Sequence, residues 1–257
     1  MQGSVAYNLG FATIVCVICA VVVSSSAVTL RERQEANQLL EKQRNVLVAA
    51  GLATDDESLT SEDVADRFAP IRQVVIDLST GEKSVSTDPD QFDQRAATRD
   101  ADTSREAPEN DAGLFRLAHE VLVYEVRDGD TLELVILPVE GLGLWSTLYG
   151  FVALDADLET IRGLTFYEHG ETPGLGGEVD NPRWKSLWLG RLAFEDGEPR
   201  IEVIRGRAGS PADDPHRVDG LAGATITGRG VTNLLRFWLG EEGFRPYLER
   251  LRQEGAA

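Results

Sequence analysis

Cysteine is nearly absent from this chain. There are two in 257 residues, Cys16 and Cys19, both inside an apolar N-terminal run. No disulfide framework holds the remainder, and no thiol there reports a redox compartment. Histidine is almost as scarce: His119, His169 and His216 are scattered, and only His169 has an acidic neighbour of interest, Glu171. Basic residues are outnumbered, 25 Lys and Arg against 43 Asp and Glu, for a formal net charge of −18. A nucleic-acid binder needs clustered Lys and Arg, so that class is excluded. Electrostatic adhesion to anionic lipid is excluded for the same reason. Familiar catalytic signatures are missing too. There is no G-x-x-x-x-G-K-[ST] phosphate loop, no H-E-x-x-H zinc helix and no G-x-S-x-G nucleophile elbow.

What is present is an ordinary globular composition, 42% hydrophobic and 26% charged, enough for one substantial core or two small ones. Charge is unevenly spread. None occurs between Met1 and Leu30, and the run Leu9–Leu30 is mostly apolar. As a helix rising about 1.5 Å per residue, such a run crosses a hydrocarbon core of about 30 Å. Ser24, Ser25 and Ser26 are tolerable there because a helical hydroxyl bonds a preceding carbonyl. A cleaved signal peptide is the rival reading, with Ser25-Ser26-Ala27 as cleavage site. The lack of any Lys or Arg before the run favours a retained anchor. Cys16-x-x-Cys19 reads either as a redox or ligand pair or as small apolar residues of a membrane helix. Two thiolates do not complete a four-ligand site, and thiolates are costly in lipid. Arg31, Arg33, Lys42 and Arg44 all follow the span, which by the positive-inside rule puts the C-terminal bulk in the cytoplasm.

Past the anchor, a helical stripe continues to about Ala50, with Gly51 as its stop. Ser61–Ala69 reads as a short helix opened by a Thr60/Asp63 capping box. Ile71–Leu78, Val121–Val126, Leu132–Val139, Leu148–Leu154, Ile161–Tyr167 and Ile201–Ile204 read as strands, with turn signals such as Asp128-Gly129-Asp130. Arg183–Leu189 reads as a short helix, and Gly228–Leu239 and Glu242–Gln253 as terminal ones. Strands and helices mix without a βαβ repeat, which predicts an α+β domain with a mixed sheet. Thr80–Asp111 is rich in acidic and small polar residues, with Phe92 its only aromatic. It predicts a flexible acidic insertion. The organisation is then an anchor over 1–30, a juxtamembrane helix over 31–52 and a soluble domain over 53–257.

Two segments invite a ligand. Gly170-Glu171-Thr172-Pro173-Gly174-Leu175-Gly176-Gly177 follows a strand, and its glycines allow close backbone approach. The spacing is not that of a dinucleotide fingerprint, and a plain tight loop is the competing reading. Asp219-Gly220-Leu221-Ala222-Gly223-Ala224-Thr225-Ile226-Thr227 runs into a helix. Free N–H groups and the dipole at a helix start suit a phosphate, while Thr225 or Thr227 could simply cap the helix.

The pattern Asp219-x-x-Ala222-Gly223-Ala224-Thr225-x-Thr227 resembles the flavinylation motif of FMN-binding domains. The wider chain is similar to the family of C subunits from bacterial Na+-translocating NADH:quinone oxidoreductases. The likeness runs through the anchor, Asn37–Leu52, Gly143-Leu144-Trp145-Ser146, Gly170–Glu178 and Phe237-Trp238-Leu239-Gly240. It implies FMN bound covalently to Thr227 through a phosphoester, attached by a separate flavin transferase. It implies a phosphate cradle from Gly223, Ala224 and Thr225, with Arg205 neutralising charge. Trp145, Thr172 and Leu175 would then contact the isoalloxazine ring, with Glu171 and Gly174 in the same loop; plain core is the competing reading for Trp145. The implied activity is electron relay toward quinone within a membrane complex of several subunits, with the soluble domain in the periplasm. No metal ligands are implied. Ala222 departs from the family pattern, where Ser or Thr is usual, and the acidic segment is longer than expected. The flavin subunit of the related ferredoxin:NAD+ oxidoreductase complex shares the motif. A non-redox anchored binding module, with Thr227 a mere cap, is the more distant alternative.

Overall fold

The structure is a computed structural model and describes residues 5–255. Helix α1 (Val5–Ala49) contains an apolar stretch, Tyr7–Arg31, long enough to cross a membrane. Along it, the Thr13 hydroxyl donates to the Leu9 carbonyl at 2.9 Å and Thr29 to Ser25 at 2.8 Å. These two hydroxyls are thus satisfied within the helix. Cys16 and Cys19 are free thiols on exposed positions of this span.

The chain divides into two compact units, Met1–Lys42 and Gln43–Ala257. The expected domain boundary at residue 53 therefore shifts. Asn45, Val46, Leu47 and Ala49 of α1 are buried, because the second unit uses the final turns of the helix as core. After α1 come α2 (Ser61–Phe68), β1 (Ile71–Asp77), α3 (Gln94–Arg99), β2 (Ser104–Glu106) and β3 (Arg116–Ala118). Four long strands follow, β4 (Glu120–Asp128), β5 (Thr131–Leu142), β6 (Thr147–Asp155) and β7 (Ile161–Glu168). Then come α4 (Pro182–Lys185) and four two-residue strands, β8 (Phe194–Glu195), β9 (Glu198–Pro199), β10 (Glu202–Val203) and β11 (Arg217–Val218). Helices α5 (Thr225–Trp238) and α6 (Arg245–Gly255) close the fold.

The main sheet has the order β1-β4-β5-β6-β7. It is antiparallel throughout; the parallel pair is β10–β11, in a small separate sheet. The α+β class is as expected. Short turns join β4 to β5, β5 to β6 and β6 to β7 and make those pairs antiparallel, while β1 pairs with β4 across a long connection. The Asp128-Gly129-Asp130 signal marks one of those turns, and Gly129 has a φ of +61°. Strand β4 is buried almost end to end, in the pattern iBBBBBBie, so both sheet faces are covered. Val121 and Val123 join the cluster holding Val231, Leu234, Leu235 and Trp238 of α5. On the other face Tyr124 packs edge-on against Phe68 of α2, ring centroids 6.0 Å apart. The Thr60/Asp63 capping box forms as predicted, the Thr60 hydroxyl accepting from the Asp63 N–H at 3.2 Å.

Residues 80–111, expected as a flexible acidic insertion, contain regular structure. They hold α3 and β2, and β2 pairs with β3. The short polar side chains are used locally. Asp93 caps α3 by accepting from the Arg95 and Ala96 N–H groups. Arg95 lies 3.8 Å over the Tyr149 ring and pairs with Glu168 at 2.8 Å. Composition favoured solvation, but capping, stacking and ion pairing supply order without a hydrophobic core.

A buried carboxylate ties the C-terminal helix to the sheet. Glu125 is fully buried; it accepts from the Tyr247 hydroxyl at 2.6 Å and pairs with Lys83 at 2.9 Å and Arg127 at 2.5 Å. Burial pushes its pKa up, but Tyr247, Arg127 and Lys83 more than offset this and hold it below the usual glutamate value. A depressed carboxylate stabilises the fold above its unfolded pKa and loses that contribution as pH falls through the folded one. We expect Glu125→Ala, which strands Arg127 and Tyr247, to cost about 3–5 kcal/mol. Denaturant titration of the full chain in detergent checks this, and the wild-type advantage should shrink below about pH 4.

Candidate functional site

The far ends of β5, β6 and β7 converge on one edge of the second unit. β5 and β6 are joined by Gly143-Leu144-Trp145-Ser146, closed by the Gly143 N–H donating to the Ser146 carbonyl at 2.8 Å. Tyr149 pairs with Glu168, so the segment leaving β7 emerges beside this hairpin tip. The Gly170 N–H donates to the Ser146 hydroxyl at 2.5 Å and clips the two together. Helix α5 also reaches this end. A side chain at Gly230 would press on the Leu142 carbonyl and lie 3.2 Å from the Gly143 Cα. Only glycine permits that approach.

Glu171 is the hub. It is buried, with one carboxylate oxygen, Oε1, accepting from the Leu144 and Trp145 N–H groups, each at 2.9 Å. The other, Oε2, accepts from the Thr227 hydroxyl at 2.6 Å. Glu171, expected only as a member of the ligand-facing loop, has both carboxylate oxygens engaged by the hairpin and by Thr227. Gly176 lies over this pair. A Cβ there would sit 2.7 Å from Thr227 Oγ1 and closer still to Glu171 Oε2.

Thr227 also departs from the capping reading. Helix α5 starts at Thr225, earlier than Gly228, and its N-cap is Ala224, which has no side-chain oxygen to offer. Thr227 is thus in the first turn and fully buried, its hydroxyl directed to Glu171. The first-turn N–H groups go without a side-chain cap, which leaves them for an anion. The Ala224 N–H is not among them, since it donates to the Leu221 carbonyl at 3.1 Å.

The other expected residues surround this pair. Trp145 is 70% exposed and Leu175 45% exposed, so the core reading of Trp145 fails. Thr172 and Gly174 are exposed, and the Thr172 carbonyl accepts from Leu175 and Gly177. A cleft of about 720 Å³ runs past Gly223 and Thr225, with Arg205 on its wall. Arg207, Arg229 and Arg236 also line it, against Asp219 and Glu202. Sequence reasoning found Arg205 but missed the other three. Arg229 and Arg236 are seven residues apart on α5, a two-turn spacing that places them on one face. Ser146 was also missed as a contributor. His169 has a structural task here: its Nδ1 accepts from the Glu171 N–H at 3.1 Å and its Nε2 meets Asp180 at 2.7 Å.

The parts fit a phosphorylated flat aromatic ligand. Uncapped helix N–H groups and arginines suit the phosphate, and exposed Trp145 and Leu175 suit the ring. Comparison with known proteins agrees. Residues 143–240 match the FMN-binding domain family, so this part of the chain is a flavin-binding domain. Over 98% of its length the chain is 48% identical to the C subunit of the Na(+)-translocating NADH-quinone reductase from Yersinia pestis, covering 95% of that protein. It is 44% identical to its counterpart from Pseudomonas aeruginosa, covering 98% of each. The crystal structure of Shewanella oneidensis NqrC superposes with a TM-score of 0.75 at 38% identity, covering 83% of this chain and 97% of that one. The chain belongs to the NqrC family, the C subunits of Na+-translocating NADH-quinone reductases.

Gly176→Ala should push the loop off Glu171 and Thr227, at about 1–3 kcal/mol, the usual cost of overpacking. Thermal melting of the full chain checks the loss, while Gly255→Ala, whose added Cβ meets nothing within 4 Å, should leave the melting temperature unchanged.

Proposed function

We propose that this chain carries FMN as a phosphoester on Thr227 and relays electrons between redox centres of a Na+-translocating NADH-quinone reductase. The observation that carries the reading is the first turn of α5. An uncapped helix start, an arginine-lined cleft and a buried threonine hydroxyl meet within the segment that resembles a flavinylation motif. Bound FMN supplies reversible electron acceptance. The protein supplies position. The α5 N–H groups and Thr225 hold phosphate, Arg205 offsets its charge, and Trp145, Thr172 and Leu175 wall the ring. A phosphoester keeps the cofactor on an exposed surface through every turnover. Thr227 is the acceptor in maturation and takes no part in turnover. Maturation needs a flavin transferase, and turnover needs the other subunits of the complex.

The related ferredoxin:NAD+ oxidoreductase flavin subunit is less well supported, since the relatives matching nearly the whole chain are quinone-reductase subunits. The apolar helix fits a single-pass anchor in the bacterial inner membrane. The periplasmic side follows from the family likeness and overrides the basic residues after the span.

Two measurements test this. Intact-mass analysis of protein co-expressed with a flavin transferase should show one added FMN less one water, and none in Thr227→Ala. An unmodified wild-type mass would sink the covalent reading. Protease added to spheroplasts should degrade the C-terminal domain, and its protection would place the domain in the cytoplasm.

A further inference from the structure

We propose that Glu171 is the base that readies Thr227 for phosphoester formation, so that the acceptor chain brings part of its own maturation chemistry. This rests on Thr227 being the attachment site. A threonine hydroxyl is a weak nucleophile and needs an adjacent base. Here the base is already in place. Glu171 Oε2 receives the Thr227 hydroxyl hydrogen at 2.6 Å, so the oxygen lone pairs point elsewhere. The carboxylate is fixed from behind by the Leu144 and Trp145 N–H groups. These hold its second oxygen and leave Oε2 to the hydroxyl alone among the hydrogen bonds of the site.

Burial narrows the choice of base. Thr227 has zero exposure and Glu171 5%, so a base supplied from outside does not reach the hydroxyl in this state. The backbone at Gly176 covers the pair, and its movement would bare the Thr227 oxygen. Glu171 would keep its place, because its anchorage is to the β5–β6 hairpin. The incoming phosphorus then meets the lone pairs while the proton leaves on the opposite side. The uncapped N–H groups of the first α5 turn face the phosphoryl oxygens, whose charge grows as the bond forms.

Direct condensation with a free phosphate monoester would have to expel water, so the donor must carry an activated phosphate. A flavin dinucleotide, with its pyrophosphate, is that class of donor. The bond from Thr227 Oγ1 to the flavin-side phosphorus forms, and the pyrophosphate P–O bond breaks. The nucleoside monophosphate departs with the bonding electron pair. The Thr227 proton passes to Glu171 Oε2 and then to solvent. Nothing is oxidised or reduced.

Full-length apoprotein in detergent, incubated with a flavin transferase and FAD, provides the test, with covalent flavin followed by intact mass over time. Glu171→Gln keeps the shape and one carbonyl acceptor for the hairpin but turns an amide toward Thr227. Attachment should slow at least about 100-fold, the lower bound for losing a positioned base, a loss well beyond any fall in non-covalent flavin affinity measured on the same variant. Glu171→Asp withdraws the carboxylate from the hydroxyl yet keeps a base. It should fall between Gln and wild type in rate, with the same KM for FAD. A wild-type rate in Glu171→Gln overturns the proposal. If that variant melts early, Glu171→Asp decides: an attachment rate there as low as in Glu171→Gln, with the base restored but the rate not, overturns it equally. Thr227→Ala separates the two readings, because flavin appearing on that variant would remove the attachment site itself.

Discussion

One buried carboxylate organises the functional end of this protein. Glu171 arrives on the segment leaving β7, is held by the N–H groups of the β5–β6 hairpin, and holds the first turn of α5 through Thr227. Three pieces of chain distant in sequence are thereby fixed to one another. A buried carboxylate is costly unless its oxygens are satisfied, and here every contact that satisfies it also positions a part of the site. The glycine at 176 follows from the same constraint, since the space above the pair is already filled by backbone.

The rest of the domain serves to bring those pieces to one edge. An antiparallel sheet covered on both faces gives a rigid frame, and its hairpins deliver β5, β6 and β7 to a common end. Helix α5 packs along the sheet through Val231, Leu234, Leu235 and Trp238 and points its start at that end. The charges divide accordingly. The chain is strongly acidic, yet arginines line the cleft beside the helix start. The fold thus gathers positive charge in one place on an otherwise acidic surface.

The strands, the capping box at Thr60 and the turn at Gly129 were legible because each depends on local sequence. So was the motif around Thr227, through its likeness to a family. What was not legible depends on contacts across the chain. Thr227 reads as a cap from its neighbours alone, and only the approach of Glu171, 56 positions earlier, shows where its hydroxyl points. Glu171 reads only as one residue of a glycine-rich loop, and its burial and its bonds to the hairpin and to Thr227 appear only in the fold. The segment over 80–111 fails by composition and is ordered by Arg95 stacking on Tyr149, a partner that no local window contains. Arg207, Arg229 and Arg236 are ordinary surface arginines until the fold lays them along one cleft.

The position of that acidic segment has a consequence of its own. It joins the end of β1 to the start of β4, and in an antiparallel sheet that is the same end at which β5 meets β6. Its Ala112 carbonyl accepts from Leu142 at the hairpin, and its Asp111 carbonyl accepts from Asn233 on α5. These two bonds make the long connection a brace between the hairpin tip and α5, so a change in its length is felt at both.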